Sequence, residues 1–98
     1  MECSINTVSD ILNVTMSGKC TFSDYDYFQQ VLDAASSSGL KEVKIFLGEL
    51  EFIDSSGLGM LLMLREKSVS DVSLIAPQGQ VERMLHVAKL TDVFNVVA

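Results

Sequence analysis

Short segments in which apolar residues alternate with polar ones, or run together, predict five strands. These segments are residues 5–8, 11–16, 43–47, 72–76 and 93–97. Ser9-Asp10 separates the first two segments and is typical of a hairpin turn, and Pro77 ends the fourth. The third segment is apolar on both faces apart from Lys44, as expected of an interior strand that helices cover.

Three further segments place apolar residues at helical spacing. After a loop at residues 19–22, the first is expected to begin with Ser23 as its N-cap and with Asp24 and Asp26 in its first turn. The predicted buried stripes are Phe28, Val31, Leu32 and Ala35, then Leu58, Leu61, Leu62 and Leu64, then Val81, Met84, Leu85 and Ala88. The order of elements predicts a single α/β domain over residues 1–98, with a mostly parallel mixed sheet of about five strands and about three helices.

The second helix begins with the most unusual chemistry in the chain, Asp54-Ser55-Ser56-Gly57. The first N–H groups of a helix lack partners within the helix, and the helix dipole adds partial positive charge there. Asp54 is therefore suited to cap the helix, and a phosphate on a neighbouring serine would be tolerated. The pattern is equally explained if these side chains only cap the helix, and it does not choose between the two serines.

Helical spacing predicts that Met60 and Met63 lie toward the side of this helix opposite most of its leucines, beside Gly59. Methionine is an adaptable contact residue, and glycine allows a partner backbone to approach closely. This side is therefore a candidate binding surface next to Ser55. The alternative is that the methionines fill gaps in the core, because periodicity alone leaves the rotation of the helix about its axis open.

Composition narrows the class of protein. The chain has 98 residues, of which 48% are hydrophobic, and this suits one modest core. A net charge of −6 with scattered basic residues disfavours direct contact with nucleic acid. Because the apolar runs are short and the N-terminus does not resemble a secretory signal, we expect a cytoplasmic protein without membrane insertion. Cys3 and Cys20 lack metal-binding spacing and are expected to be reduced thiols.

No combination of residues predicts catalysis. The two serines lie in a different helix from His86, the single imidazole, and their segment is not the nucleophile elbow of hydrolases. Glu49, Glu51 and Asp54 form an acidic cluster, for which solvated turn carboxylates are a commoner explanation than a divalent metal. We therefore expect a binding protein rather than an enzyme, with no metal and no cofactor.

The segment Phe52-Ile53-Asp54-Ser55-Ser56-Gly57-Leu58-Gly59, between a hydrophobic strand and an apolar helix, resembles the signature of STAS domains, the bacterial anti-sigma factor antagonists. The order of elements over nearly the whole chain is similar too. In that family the serine directly after the aspartate is phosphorylated, and this serine corresponds to Ser55. The resemblance thus favours a regulatory Ser55 over a purely capping role.

The resemblance also implies a partner-switching function. The unmodified domain would bind an anti-sigma factor with serine kinase activity and free a sigma factor. Phosphorylation of Ser55 would abolish binding, and a metal-dependent serine phosphatase would reverse the modification. The expected partner-binding residues are Asp54, Ser55, Ser56, Gly57, Gly59, Met60 and Met63.

The sequence departs from the family pattern in two places. Many members have an acidic residue before the first helix where this chain has Thr21, so we expect an altered surface there. Many also end in a further helix, whereas this sequence ends at Ala98, so we expect one flank of the sheet to be less covered and available to a partner or to a second copy in a weak homodimer. An alternative function is a constitutive STAS accessory subunit of a lipid transporter or stress-sensing complex, in which Ser55 is not modified.

Overall fold

A five-stranded sheet in the order β1-β2-β3-β4-β5 forms one layer of the fold, seen in a computed structural model that describes residues 1–68 and 70–98. The strands are β1 (Glu2–Val8), β2 (Ile11–Cys20), β3 (Glu42–Ile53), β4 (Asp71–Ile75) and β5 (Asn95–Val97). β1 pairs antiparallel with β2 across the predicted Ser9-Asp10 turn, and the other neighbours pair parallel. The predicted α/β fold with a mixed sheet is confirmed.

Three α-helices form the second layer, together with two short 3₁₀ helices, within the described residues. The α-helices are α1 (Tyr25–Ala35), α2 (Ser55–Lys67) and α3 (Gly79–Val87), and the 3₁₀ helices are Phe22–Asp24 and Leu90–Asp92. The predicted stripe of α1 is buried in full, because its spacing brings all four side chains to one face. In α3, Val81 and Leu85 are buried, but Ala88 lies beyond the helix and is exposed, so its place in the stripe was wrong. No helix in residues 1–68 and 70–98 is long and apolar enough to cross a membrane.

The helices cover one face of the sheet. Burial alternates along β2 and the first half of β3, so every second side chain enters the core. Lys44 and Phe46 lie on the opposite face and are half-buried. The expectation that helices cover β3 as an interior strand is therefore wrong for that face, and the apolar Phe46 gave a misleading signal there.

The second half of β3 keeps its apolar residues inward by means of two irregularities in register. Thr15 and Ser17 of β2 pair with Phe46 and Glu49, and Gly18 and Lys19 pair with Leu50 and Phe52. Each step inserts one extra residue in β3, as a β-bulge does. Leu47, Leu50 and Ile53 are consequently all buried although they are three residues apart. The strand therefore continues to Ile53, and Asp54 lies between its end and the start of α2.

Two expectations about the connection before α1 are wrong. β2 continues through Lys19 and Cys20, because the long β3 pairs with it as far as Ile53. Ser23 does not cap α1 but lies within the 3₁₀ helix, and Thr21 is the residue that begins this turn. The backbone N–H of Thr21 donates to the Asp24 carboxylate at 2.9 Å. The closing strand is also shorter than predicted, since the chain first forms the 3₁₀ helix Leu90–Asp92.

Candidate functional site

The candidate site lies where β3 ends and α2 begins, held there by hydrogen bonds of Asp54. Its backbone N–H donates to the carbonyl of Cys20 at the end of β2, 3.2 Å away. Its carboxylate accepts the backbone N–H of Gly57 at 2.8 Å, and its carbonyl accepts that of Leu58 at 3.0 Å. Asp54 is therefore the N-cap of α2, as its position in the sequence predicts.

Ser55 is the first residue of α2, and its side chain is exposed. Its hydroxyl makes no hydrogen bond with any other residue that the structure describes, and Asp54 rather than Ser55 caps the helix. Ser56 is half-buried. The two serines are thus not equivalent, and Ser55 offers the more accessible hydroxyl beside the free N–H groups of the first helical turn.

Gly57 is turned toward the core, and the expectation that it lets a partner approach is wrong. A methyl group at this position would lie 2.5 Å from Cγ1 of Ile53 and 2.9 Å from the carbonyl oxygen of Cys20. Only glycine fits this contact without a shift of its neighbours. The role of Gly57 is to let α2 pack closely on the ends of β2 and β3. Gly59, in contrast, has open space at the same atom.

The rotation of α2 also corrects two other assignments. Met60 is only 2% exposed and packs in the core, so its place on the outer surface was wrong. Leu62, predicted to be buried, is 40% exposed. We define the outer face of α2 as Ser55, Gly59, Leu62, Met63 and Glu66, which follow helical spacing and are exposed or half-buried. Met63 is partly exposed and also packs on the core.

A side chain from α3 fixes the residue before the site. Oε1 of Gln80 accepts the backbone N–H of Ile53 at 2.9 Å, and Nε2 of Gln80 donates to the carbonyl of Ile53 at 2.8 Å. β4 pairs with β3 only as far as Phe46, so this amide takes the place of a neighbouring strand. Gln78 similarly donates to the carbonyl of Gly48. No periodic pattern in the sequence predicted the contacts of either glutamine with β3.

Two aromatic side chains near this end of the sheet were also missed. Phe22 follows the end of β2 and is 75% exposed, and Phe52 near the end of β3 is 38% exposed. Aromatic side chains contribute large apolar areas to contact surfaces, so both residues are candidates for contact with a partner. Phe22, an apolar residue within a polar turn, is the position that the sequence could have revealed. Within residues 1–68 and 70–98, no group of three or more His, Cys, Asp or Glu is placed to hold a metal ion.

Cys20 lies directly beneath the start of α2. Its Sγ would be 3.0 Å from a methyl group at Gly57. Burial, together with the charges of Asp24 and Asp54, raises the pKa of this thiol to about 12. Cys20 is therefore a protonated packing residue at neutral pH rather than a reactive nucleophile.

The comparison with protein families agrees with this geometry. The sequence model of the STAS domain matches residues 2–98. The chain belongs to the STAS domain family. No curated protein matches this STAS domain.

Solved structures share the fold of this STAS domain at low sequence identity. An anti-sigma factor antagonist from Mycobacterium paratuberculosis is 20% identical with a TM-score of 0.87, over 98% of this chain and 84% of that one. A candidate anti-sigma factor antagonist from Thermotoga maritima is 21% identical with a TM-score of 0.86, over 98% and 86%. The antagonist SpoIIAA in its unphosphorylated form is 15% identical with a TM-score of 0.77, over 99% and 88%. At these identities the likeness establishes the fold alone.

The turn before α1 of this STAS domain does contain an acidic residue, although Thr21 occupies the position where one was expected. Asp24 accepts hydrogen bonds from the Thr21 backbone and from the N-terminal ammonium group of Met1, the latter at 3.1 Å. Partial burial acts to raise the pKa of Asp24, but these hydrogen bonds outweigh it and hold the pKa below its usual value. Asp24 is therefore ionised at neutral pH and orders this turn beside Cys20.

Proposed function

We propose that this STAS domain is an anti-sigma factor antagonist. In its unmodified form it binds an anti-sigma factor that has serine kinase activity and thereby frees a sigma factor. Phosphorylation of Ser55 abolishes this binding, and a metal-dependent serine phosphatase restores it. The domain supplies a binding surface and no catalytic group of its own.

The observation that carries the proposal is the division of roles between Asp54 and Ser55. The carboxylate of Asp54 caps α2, which leaves the exposed hydroxyl of Ser55 without a structural task. A phosphate on Ser55 would lie beside the free N–H groups and the positive end of the helix dipole. The modification can therefore add charge to the surface without unfolding the helix.

The added charge is sufficient to release a partner. A phosphoserine has a charge of about −1.5 to −2 at neutral pH. Burying such a group without a cationic partner costs several kcal/mol, and each ~1.4 kcal/mol changes affinity about tenfold. Glu49 and Glu51 of β3 are exposed and make this part of the molecule acidic before any modification. Repulsion and desolvation together supply the switch, so no change of fold is required.

The contact surface in this proposal is Asp54 with the outer face of α2. Ser55, Gly59 and Met63 remain in it, Leu62 is added, and Ser56 contributes at its rim. Met60 and Gly57 support this surface from within the core. Leu62 and Met63 provide apolar contact, and the open space at Gly59 admits a partner backbone.

The test is phosphorylation by the serine-kinase anti-sigma factors of the source organism, each incubated with the purified domain and ATP. Intact mass spectrometry should show one added phosphate, and peptide mapping should place it on Ser55. Ser55→Ala should abolish the modification, whereas the matched control Ser56→Ala should retain it. The Ser55→Asp variant should bind the same anti-sigma factor at least about tenfold more weakly, with an unchanged melting temperature.

Two results would contradict the proposal. One is phosphorylation that persists in Ser55→Ala and disappears in Ser56→Ala. The other is binding of an anti-sigma factor by Ser55→Asp with the affinity of the unmodified domain. A large loss of melting temperature in Ser55→Asp would instead assign this serine to the stability of the helix start.

A further inference from the structure

β1 is an edge strand with little protection on its outer side. It lies at the end of the strand order and, among residues 1–68 and 70–98, pairs only with β2. Charged side chains, proline and β-bulges are features by which proteins prevent an edge from pairing with another chain. Of these, the seven residues of β1 contain only the charge of Glu2 at one end, and the register with β2 has no bulge. The outer edge of β1 is therefore able to accept a further strand.

The pairing pattern identifies which backbone groups face outward. Val8 and Ile11 flank the two-residue turn, so they form a pair that exchanges hydrogen bonds across the hairpin. By alternation, Asn6 and Ser4 also point their N–H and C=O groups toward β2. Thr7, Ile5 and Cys3 then direct theirs away from it. The hydrogen bonds between the Cys3 backbone and the Tyr27 hydroxyl agree with this assignment.

Tyr27 of α1 occupies the outward groups of Cys3. Its hydroxyl accepts the backbone N–H of Cys3 at 3.2 Å and donates to the carbonyl of Cys3 at 3.4 Å. One phenol thus replaces a neighbouring strand at a single position of the edge. Within the residues that the structure describes, no strand lies on that side of Ile5 and Thr7, so their outward groups have no equivalent partner in the sheet.

We propose that the outer edge of β1 pairs antiparallel with β1 of a second copy of this chain, centred on Ile5, and that the Tyr27 hydroxyl limits this pairing. In this register Ile5 faces Ile5 of the other copy and exchanges two hydrogen bonds with it. Cys3 faces Thr7, Ser4 faces Asn6, and Glu2 faces Val8. No like charges are opposed, and the two-fold axis closes the assembly as a dimer.

The contact is small, which makes the dimer weak. A stable dimer interface buries about 800 Å² on each partner, and one edge of seven residues provides less. Each copy also has a net charge of −6, so repulsion opposes association and salt should favour it. Pairing at Cys3 further requires that Tyr27 releases its two hydrogen bonds. Removal of the Tyr27 hydroxyl should consequently strengthen the dimer.

The experiment combines sedimentation equilibrium with amide hydrogen exchange over a concentration series of the full chain. Tyr27→Phe should increase the association constant of the dimer about tenfold relative to the chain without substitutions. Ile5→Pro removes an outward N–H and should reduce association at least about tenfold, whereas Ile5→Val keeps the N–H and serves as the matched control. The amides of Ile5 and Thr7 should gain protection as concentration rises. Those of Ser4 and Asn6 should be protected at every concentration by β2.

The amide pattern also defines the outcomes that overturn the proposal. Dimers that form without concentration-dependent protection of Ile5 and Thr7 would show that another surface associates. Open-ended oligomers would indicate pairing of β1 with β5 of another copy. If both the chain without substitutions and Tyr27→Phe are monomeric at every concentration, the outer edge of β1 does not pair. Since Tyr27→Phe leaves every strand residue in place, this result does not depend on whether Ile5→Pro folds.

Discussion

The inner and outer faces of α2 differ in how much room they leave. On the inner face, a single methyl group at Gly57 would lie within 3 Å of both Ile53 and Cys20. On the outer face, the same group at Gly59 meets nothing within 4 Å. Both glycines occur in one helix, two residues apart. The difference shows that one short motif contains residues of two kinds, those that position the helix and those available to a partner.

The same division applies to the two methionines of the helix and provides the largest expected effect. Met60→Ala should lower the free energy of unfolding by about 2–5 kcal/mol, because it removes a buried side chain and leaves a cavity. Met63→Ala, at a half-buried position, should lower it by less than about 1.5 kcal/mol. Urea denaturation of both variants measures the difference. Equal losses would mean that the two faces are not distinct.

Gly57→Ala should give the next largest effect. The added methyl group meets a branched side chain and a backbone carbonyl, neither of which can move without disturbing the ends of β2 and β3. We expect a loss of about 1–3 kcal/mol, as is typical of overpacking. Thermal and urea unfolding provide the measurement. An unchanged or increased stability would contradict the close packing of α2 on Cys20.

The sequence predicted the buried face of α1 better than that of α2, and composition explains the difference. In α1, polar residues lie between Phe28 and Val31 and directly after Leu32, so only one rotation of the helix buries these apolar side chains. In α2, residues 57–64 contain no polar side chain, and no polar side fixes the rotation. For this reason the sequence predicted Leu62 to be buried and Met60 to be exposed, whereas the structure shows the reverse. Whether such a residue is buried depends on tertiary packing, which periodicity does not record.

The candidate site was predictable as far as its chemistry is local. Asp54 caps α2 because an aspartate before a helix satisfies N–H groups of the first turn, and this needs only the adjacent sequence. The contacts of Gln80 with Ile53 and of Gly57 with Cys20 join residues distant in the chain. They exist because β3 extends beyond β4 and pairs with the end of β2. No local pattern encodes that difference in strand length.

Gly59→Ala should give the smallest change in stability, with the opposite sign to Gly57→Ala. Alanine favours a helix over glycine by about 0.5–1 kcal/mol, and the open space at Gly59 means that no clash offsets this gain. The variant should therefore be more stable in urea denaturation.

If the outer face of α2 binds a partner whose backbone approaches Gly59, the methyl group of Gly59→Ala should reduce affinity for the anti-sigma factor. A gain in stability with unchanged affinity would retain the packing argument and remove Gly59 from the contact surface. A loss of stability would show that this side of the helix is not open.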